Sequence, residues 1–505
     1  MSDEENFLRK ARREKLDALI ALGVQPFAYS FERSHATAEA VAAFRDGTEE
    51  GPTVKVAGRL IAWRGHGKTV FAHLADDTGR IQLYFRKDQL GDATFALAEL
   101  FDIGDVIGVS GPVFKTRTGE VTVRVESVEL LAKSLRPLPF GKEEQVDGAT
   151  VRHSGFADPE QRYRQRYADL AVHPEVRALF RARSAMIREL RGALDELGYL
   201  EVETPVLQPL YGGAAARPFV TQHNALDMTM YLRIADELYL KRLVVGGFDR
   251  VYEIGHDFRN EGIDRTHNPE FTMLEFYEAM ADYRTMMNRV EHLVVRAAQS
   301  VKRMLDGVEP GIVERSGSVP DLKPPFPRIE WVPALNRALG SDVMEMDQAA
   351  LIAAARRTGV QHAETLSRPK LMDELFQAHV ESKIDTPTFV LDYPVELSPL
   401  AKPKRGVSGL TERFELFAKG KEMANAFSEL NDPIDQRSRF EAQARLRAAG
   451  DLEATGVDED YLRAMEYGMP PMGGVGIGID RLFMYLTGTP NIRDVILFPV
   501  LRAEE

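Results

Sequence analysis

RVYEIGHDFRNEGIDRTHNPEFTMLEFYEA, from Arg250 to Ala279, is the stretch on which the reading of this chain turns. It consists of two alternating runs around a polar loop. Side chains along a strand point to opposite faces in turn. Glu253, Asp257, Arg259 and Glu261 therefore share one face of the first run, and Phe271, Met273, Glu275 and Tyr277 share one face of the second. The loop GIDRTHNP holds Gly262, Asn268 and Pro269, residue types that turns use. A hairpin is expected, offering an arginine, an aromatic ring and carboxylates to one concave site. Buried charge is costly unless paired, so an ordinary core strand would not carry this set. For any one of these charges alone, a solvated polar face is the plainer alternative.

At 505 residues the chain exceeds a single ordinary core, and two or three domains are expected. Its 44% hydrophobic and 28% charged residues describe a soluble globular protein. The sequence holds no apolar run of membrane-spanning length and no signal-peptide pattern. It has no cysteine, which excludes disulfides and cysteine metal sites and fits a reducing cytoplasm. A net charge of −13 argues against a uniformly basic nucleic-acid binder. From Val54 to Arg136, however, 12 Lys+Arg stand against 10 Asp+Glu, and local surface charge is what phosphates meet.

Working outward, residues 4–23 predict an amphipathic helix, with Leu8, Leu16, Ile20 and Leu22 among charges. From Val54 come five short β runs with a helical stretch, ATFALAELF, after the third. That pattern suggests a small barrel of the oligonucleotide-binding (OB) type. Phe71, Arg80, Gln82 and Tyr84 fall on its second and third strands. There, aromatics can stack on bases and polar side chains can read base edges, although Phe71 or Tyr84 could equally be core. Gly65-His66-Gly67-Lys68-Thr69 departs from a phosphate-binding P-loop, because Ala62 stands where that motif needs glycine. It reads as a hairpin tip.

A Pro- and Gly-rich linker precedes a long helix from Pro174 to Leu197, ended by Gly198. Leu200, Val202, Val206 and Leu207 follow; simple core is as good a reading of them as an interface role. Asp282 to Leu305 is helical, and residues 306–385 form a mostly helical insertion. RFELFAKGKEMANAFSEL predicts a second hairpin turning at AKGK, flanked by Glu415 and Glu422. Like charges close across a hairpin repel. A cation such as Mg²⁺, shared with substrate phosphates, would relieve them; two exposed glutamates are the alternative. Asn425, Phe427 and Glu429 alternate along one strand. GVGIGIDR is a glycine-rich strand entering a helix at Asp480, where a nucleotide could approach the backbone. Arg481 starts that helix, with a salt bridge to Asp480 as its bland alternative.

FRNEG…HNPEF…E resembles motif 2 of the class II aminoacyl-tRNA synthetases, GYLEVETPVLQPL resembles motif 1, and GVGIGIDR resembles motif 3. Almost the whole chain is similar to the bacterial-type class II lysyl-tRNA synthetases. The resemblance implies an α+β multidomain chain. Its parts would be an N-terminal helical extension (1–53), an OB-fold anticodon-binding barrel (54–136), a linker (137–173) and a class II catalytic domain (174–505). The catalytic domain would be an antiparallel sheet flanked by helices. Motif 1 would lie near 190–209, motif 2 at 250–279, the insertion at 306–385 and motif 3 near 473–488.

The activity implied is lysine–tRNA ligation in the cytoplasm by a homodimer joined through motif 1. L-lysine and ATP would give lysyl-adenylate, and the lysyl group would pass to the terminal adenosine of tRNA(Lys). Arg259 would hold the α-phosphate and the amino-acid carboxylate, and Arg481 the γ-phosphate. Glu261, His267, Asn268 and Phe271 would contact the nucleotide, with Phe271 stacked on adenine. Glu415 and Glu422 would bind Mg²⁺. Gly213, Glu237, Glu275, Tyr277, Asn425 and Glu429 would bind lysine, and no cation is found among these positions to suit an aspartate side chain. Phe71 would meet an anticodon base, and Gln82 and Glu120 would read base edges. Ala426 and Asp236 depart from the common Gly and Pro of the family. A protein-lysine ligase would look like the catalytic domain alone, and a non-catalytic RNA-binding regulator would have lost the ATP residues; neither fits this sequence.

Overall fold

The computed structural model describes residues 3–146, 149–153, 155–309, 311–315, 318–448 and 454–503. Positions 147, 148 and 154 of the expected linker lie outside the described residues. The chain forms two compact units, Met1–Arg162 with Tyr167–Val172, and Tyr163–Arg166 with His173–Glu505.

The first unit opens with α1 (Asp3–Ala21) and continues into β1 (Thr53–His66), β2 (Thr69–Ala75) and β3 (Arg80–Arg86). After α2 (Lys87–Ala98) come β4 (Val106–Lys115), β5 (Val121–Arg124) and β6 (Ser127–Ala132). The strand order is β1-β2-β3-β5-β4-β6, and β1 also pairs with β4, which closes the sheet into a barrel. The fifth expected run divides into two strands. Alternation fixes the faces: Val70, Ala72, Leu74, Ile81, Leu83 and Phe85 fill the interior, while Phe71, His73, Gln82 and Tyr84 stay half-buried outside. The GHGKT segment is the β1–β2 hairpin tip, with Gly67 at φ +61°.

The second unit is organised on an eight-stranded sheet. Helix α3 (Pro174–Glu196) buries Val176, Leu179, Met186, Leu190 and Leu194 on one stripe and ends before Gly198, at φ +79°. Then come β7 (Leu200–Glu201), α4 (Glu237–Val245), β8 (Arg250–Phe258), β9 (Glu270–Ala279) and α5 (Tyr283–Leu305). The Asp282 side chain caps α5 by accepting from the amides of Arg284 and Thr285. The insertion contributes β10 (Arg328–Glu330) and helices α6 (Trp331–Leu339), α7 (Gln348–Thr358) and α8 (Arg368–His379), which share a core around Trp331 and Phe376. Strands β11 (Thr388–Leu391), β12 (Arg413–Ala418), β13 (Lys421–Ser428) and β14 (Met472–Gly478) complete the sheet before α9 (Ile479–Thr487).

The order is β10-β11-β12-β13-β14-β9-β8-β7. Every pairing is antiparallel except β10 with β11 and β8 with β7. Both hairpins predicted around motif 2 and AKGK are present. The second turns on Lys419 and Gly420, both left-handed (φ 52° and 63°), as a two-residue turn matched to strand twist requires. Among the described residues no helix is long and apolar enough to cross a membrane.

Candidate active site

Register across the middle of the large sheet assembles the site. Glu275, Gly476, Asn425 and Glu415 stand in one row across β9, β14, β13 and β12, and Tyr277, Gly474, Phe427 and Arg413 in the next. The missing side chains on β14 leave a trough down the centre of the face. Its walls are the polar and aromatic groups of the neighbouring strands. A cavity of about 320 Å³ lies over this trough.

Gly213, Glu237, Arg259, Glu261, His267, Asn268, Phe271, Glu275, Tyr277, Glu415, Glu422, Asn425 and Arg481, all expected from sequence, line that cavity. Glu429 does not. It lies beneath the wall, 1% exposed, with Gly474 between it and the open space. A Cβ on Gly474 would collide with Glu429 Oε1 and with the Tyr277 ring. Gly474→Ala must therefore shift both, a strain of about 1–3 kcal/mol. Its expected effect is a roughly five- to hundredfold rise in KM for the amino acid with ATP affinity unchanged, read by steady-state kinetics.

One end of the cavity is cationic. Arg259 lies over Phe271, its Cζ 5.1 Å from the ring centroid, and its Nε donates to the Ile234 carbonyl at 3.4 Å. Arg481 Nη2 is 3.0 Å from His267 Nε2, and Nη1 donates to the Glu422 carbonyl at 3.3 Å. The alternative partner of Arg481 is occupied elsewhere: Asp480 pairs with Arg183 at 2.8 Å and accepts from the Thr272 amide. Glu415 and Glu422 are not directly opposite, because a register shift at Leu416/Phe417 sets Glu415 against Asn425 and Glu422 against Phe417. Both still reach the cavity. Burial pushes the Glu415 carboxyl up to about 7, with Glu422 adding to the effect and Arg413 opposing it. A buried carboxylate whose charge is disfavoured in this way, with a second carboxylate beside it, fits a hard cation that takes its remaining ligands from phosphate and water. Among the described residues no group of three or more His, Asp or Glu forms an all-protein metal cage.

The other end is acidic. Tyr277 Oη donates to Glu275 Oε2 at 3.0 Å, and the Asp236 amide reaches Glu275 Oε1 at 3.4 Å. Burial, then Asp257 and Glu237, push Glu275 well above the usual carboxylate range. Sequence reasoning missed Lys241 here. It is fully buried and pairs with both Glu237 and Glu429; none of the expected pocket positions is a cation, but one stands directly behind two of them. In YLRIADELYLKR the Glu237–Lys241 spacing looks like a surface i,i+4 pair. Glu429 and Phe427 from the second hairpin, together with Tyr277 and Tyr461, enclose Lys241 in the fold. Arg413 was also missed; it lines the cavity, bonds Asn425 Oδ1 at 3.1 Å and pairs with Glu415.

A second correction concerns Glu253 and Asp257. They share the expected face but do not line the cavity, because Arg233 covers that end of β8. Its Nη1 is 2.6 Å from Glu253 and 2.8 Å from Asp236, and its Nε is 3.4 Å from Asp257. One guanidinium thus faces three buried carboxylates. Burial, then Asp257, Glu275 and Glu253, push Asp236 up to about 10. The carboxyl is neutral in the fold at pH 7 but ionised when unfolded. The stability it contributes is full below pH 4 and is lost as pH rises toward its folded value. Asp236→Asn should therefore raise the melting temperature more at about pH 9 than at about pH 5, by at least about 2 °C. An equal shift at both pH values in thermal scans would contradict this.

In the first unit, Phe71 stacks on Tyr84 with centroids 4.6 Å apart and rings 24° from parallel. Gln82 Nε2 donates to Glu120 Oε2 at 2.7 Å, and Gln82 Oε1 accepts from Thr122 at 2.8 Å, which fixes the amide's orientation. His73 Nε2 lies 2.9 Å from Glu120 Oε1. Phe71, Gln82 and Glu120 are thus brought together on one outer face of the barrel.

Residues 158–502 match the family of tRNA synthetases class II (D, K and N), and residues 54–131 match the OB-fold nucleic acid binding domain. The chain is 51% identical over 503 residues to a lysine–tRNA ligase of Carboxydothermus hydrogenoformans, covering 99% of each. It is 50% identical over 507 residues to that of Moorella thermoacetica, covering 100% of this chain and 99% of the relative. It is 48% identical over 508 residues to that of Bacillus subtilis, covering 99% and 98%. With likeness of this extent over nearly its whole length, the chain belongs to the class II tRNA synthetases and, within them, to the family of the lysine–tRNA ligases.

Proposed function

We propose that this chain is a lysine–tRNA ligase working through the cavity described above. One observation carries the reading: a single trough has guanidinium groups at one end and buried carboxylates at the other. L-lysine lies along it, with its two ammonium groups among Glu237, Glu275, Glu429, Tyr277 and Asn425 and with Gly213 close to its backbone. The carboxylate attacks the α-phosphorus of ATP in line. A P–O bond forms to lysine, the bond to the β-phosphate oxygen breaks, and pyrophosphate leaves. Arg259 holds the α-phosphate and the lysine carboxylate with its two-pronged fork. Phe271 stacks on adenine, Glu261, His267 and Asn268 border the nucleotide, and Arg481 meets the γ-phosphate. Catalysis consists of positioning and charge neutralisation, and no protein nucleophile takes part.

Glu415 and Glu422 would hold Mg²⁺, which when bound supplies positive charge to the triphosphate. A ribose hydroxyl of the 3′-terminal adenosine of tRNA(Lys) then takes the lysyl group, the anhydride bond breaks and AMP leaves; the anticodon of that tRNA meets Phe71, Gln82 and Glu120. A homodimer fits the apolar side chains Leu200, Val206, Leu207, Val220 and Leu226, which stand exposed in and after motif 1. The cytoplasm fits a chain with no cysteine. The test is charging of tRNA(Lys) with labelled lysine: ATP-dependent incorporation that survives acid precipitation and is released by mild alkali is expected, and its absence in folded protein would overturn the proposal.

A further inference from the structure

Lys241 is a buried cation behind the acidic end of the pocket proposed to bind a cationic substrate. It stands four residues after Glu237 on α4, on the same helix side. It is 0% exposed, on a helix whose Leu238, Leu240 and Val244 belong to a buried apolar cluster. Its Nζ contacts Glu237 Oε1 and Glu429 Oε2. It also lies 5.8 Å from the Tyr277 ring centroid and 5.6 Å from that of Phe427. Each carboxylate thus gives one oxygen to Lys241 and keeps the other. Glu237 Oε2 points toward the Gly213 loop, 3.8 Å from where a Cβ on Gly213 would sit. Glu429 Oε1 points toward Gly474 and Tyr277, and has no hydrogen-bond partner among the described residues.

We propose that Lys241 is a positioning residue that sets the spacing between the two carboxylates receiving the substrate's ammonium groups, and so selects the length of the side chain. This rests on the lysine–tRNA ligase reading. One ammonium bound to both acids fixes their separation, because neither can move without stretching an ion pair in a dry site. Charge count agrees. Glu237, Glu275 and Glu429 carry three negative charges when ionised, Lys241 offsets one, and the α- and ε-ammonium groups of lysine match the other two. Burial pushes Glu429 up to about 8, against the pull of Lys241, so removing Lys241 favours its neutral form further. The groups facing Lys241 are Glu237, Glu429, Tyr277 and Tyr461.

The test is lysine-dependent ATP–pyrophosphate exchange by Lys241→Met, with ornithine, one methylene shorter, as competitor. KM for lysine should rise and discrimination against ornithine should fall, each by at least about tenfold, the scale of one methylene in a shaped pocket. KM for ATP should stay within about twofold of wild type. A merely structural role would move ATP and lysine together, and unchanged discrimination would overturn the proposal. Should Lys241→Met fail to bind ATP by calorimetry, Lys241→Arg decides. It keeps the charge but moves both carboxylates, and wild-type discrimination in that variant would equally overturn the idea. A wild-type protein inactive toward lysine would instead sink the functional reading itself.

Discussion

Arg259→Ala is expected to lower lysine-dependent ATP–pyrophosphate exchange by about 10³-fold in kcat/KM, the scale for losing one preorganised donor at a developing anion. The fall should be larger than the loss of ATP affinity. Arg259 is half-buried, stands over Phe271 and is anchored by the Ile234 carbonyl, so its fork is held before substrate arrives. In the proposed reaction it would share the triphosphate with Arg481 in the ground state, and in the transition state it alone would join the incoming carboxylate to the α-phosphate. Lysine should recover little, because an ammonium is a point charge without the fork. Near-normal exchange by a folded Arg259→Ala protein would remove Arg259 from the reaction.

Glu429→Gln is expected to raise KM for lysine by about a hundred- to several-thousandfold, since breaking one member of a buried charge set costs about 3–5 kcal/mol. Glu429 is buried behind Gly474, its Oε1 has no hydrogen-bond partner among the described residues, and its Oε2 pairs with Lys241. In the variant Lys241 keeps only Glu237, and the side chain of lysine faces an amide whose own NH₂ cannot accept from an ammonium. ATP binding should be untouched, because the cationic end of the trough shares no partner with Glu429. A parallel loss of ATP and lysine affinity would show that the variant had damaged the sheet rather than the pocket.

The elements that carry local information were legible before the structure. Period-two alternation and turn residues marked both hairpins, and with them the faces that bear Glu275, Tyr277, Asn425 and Glu415. The glycines of β14 marked a close approach, although not that Gly474 and Gly476 would lie between the pocket's own side chains. What could not be read were pairings made across the chain. Lys241 looked like surface because its second partner, Glu429, is 188 positions away. Glu253 and Asp257 have the alternation of site residues, yet Arg233 crosses over them from the segment before α4. The bulge that staggers Glu415 and Glu422 was hidden too, since an extra residue leaves no signature in a run as short as RFELFA.

The central claim is that one trough selects lysine by its acidic end and activates it at its cationic end. ATP–pyrophosphate exchange by the wild-type chain, supplied with one amino acid at a time, tests it most directly. Lysine should support exchange, with aspartate and asparagine lower by about 10⁴-fold or more, because their short side chains leave buried carboxylates unpaired. Exchange driven as well by aspartate or asparagine as by lysine would contradict it.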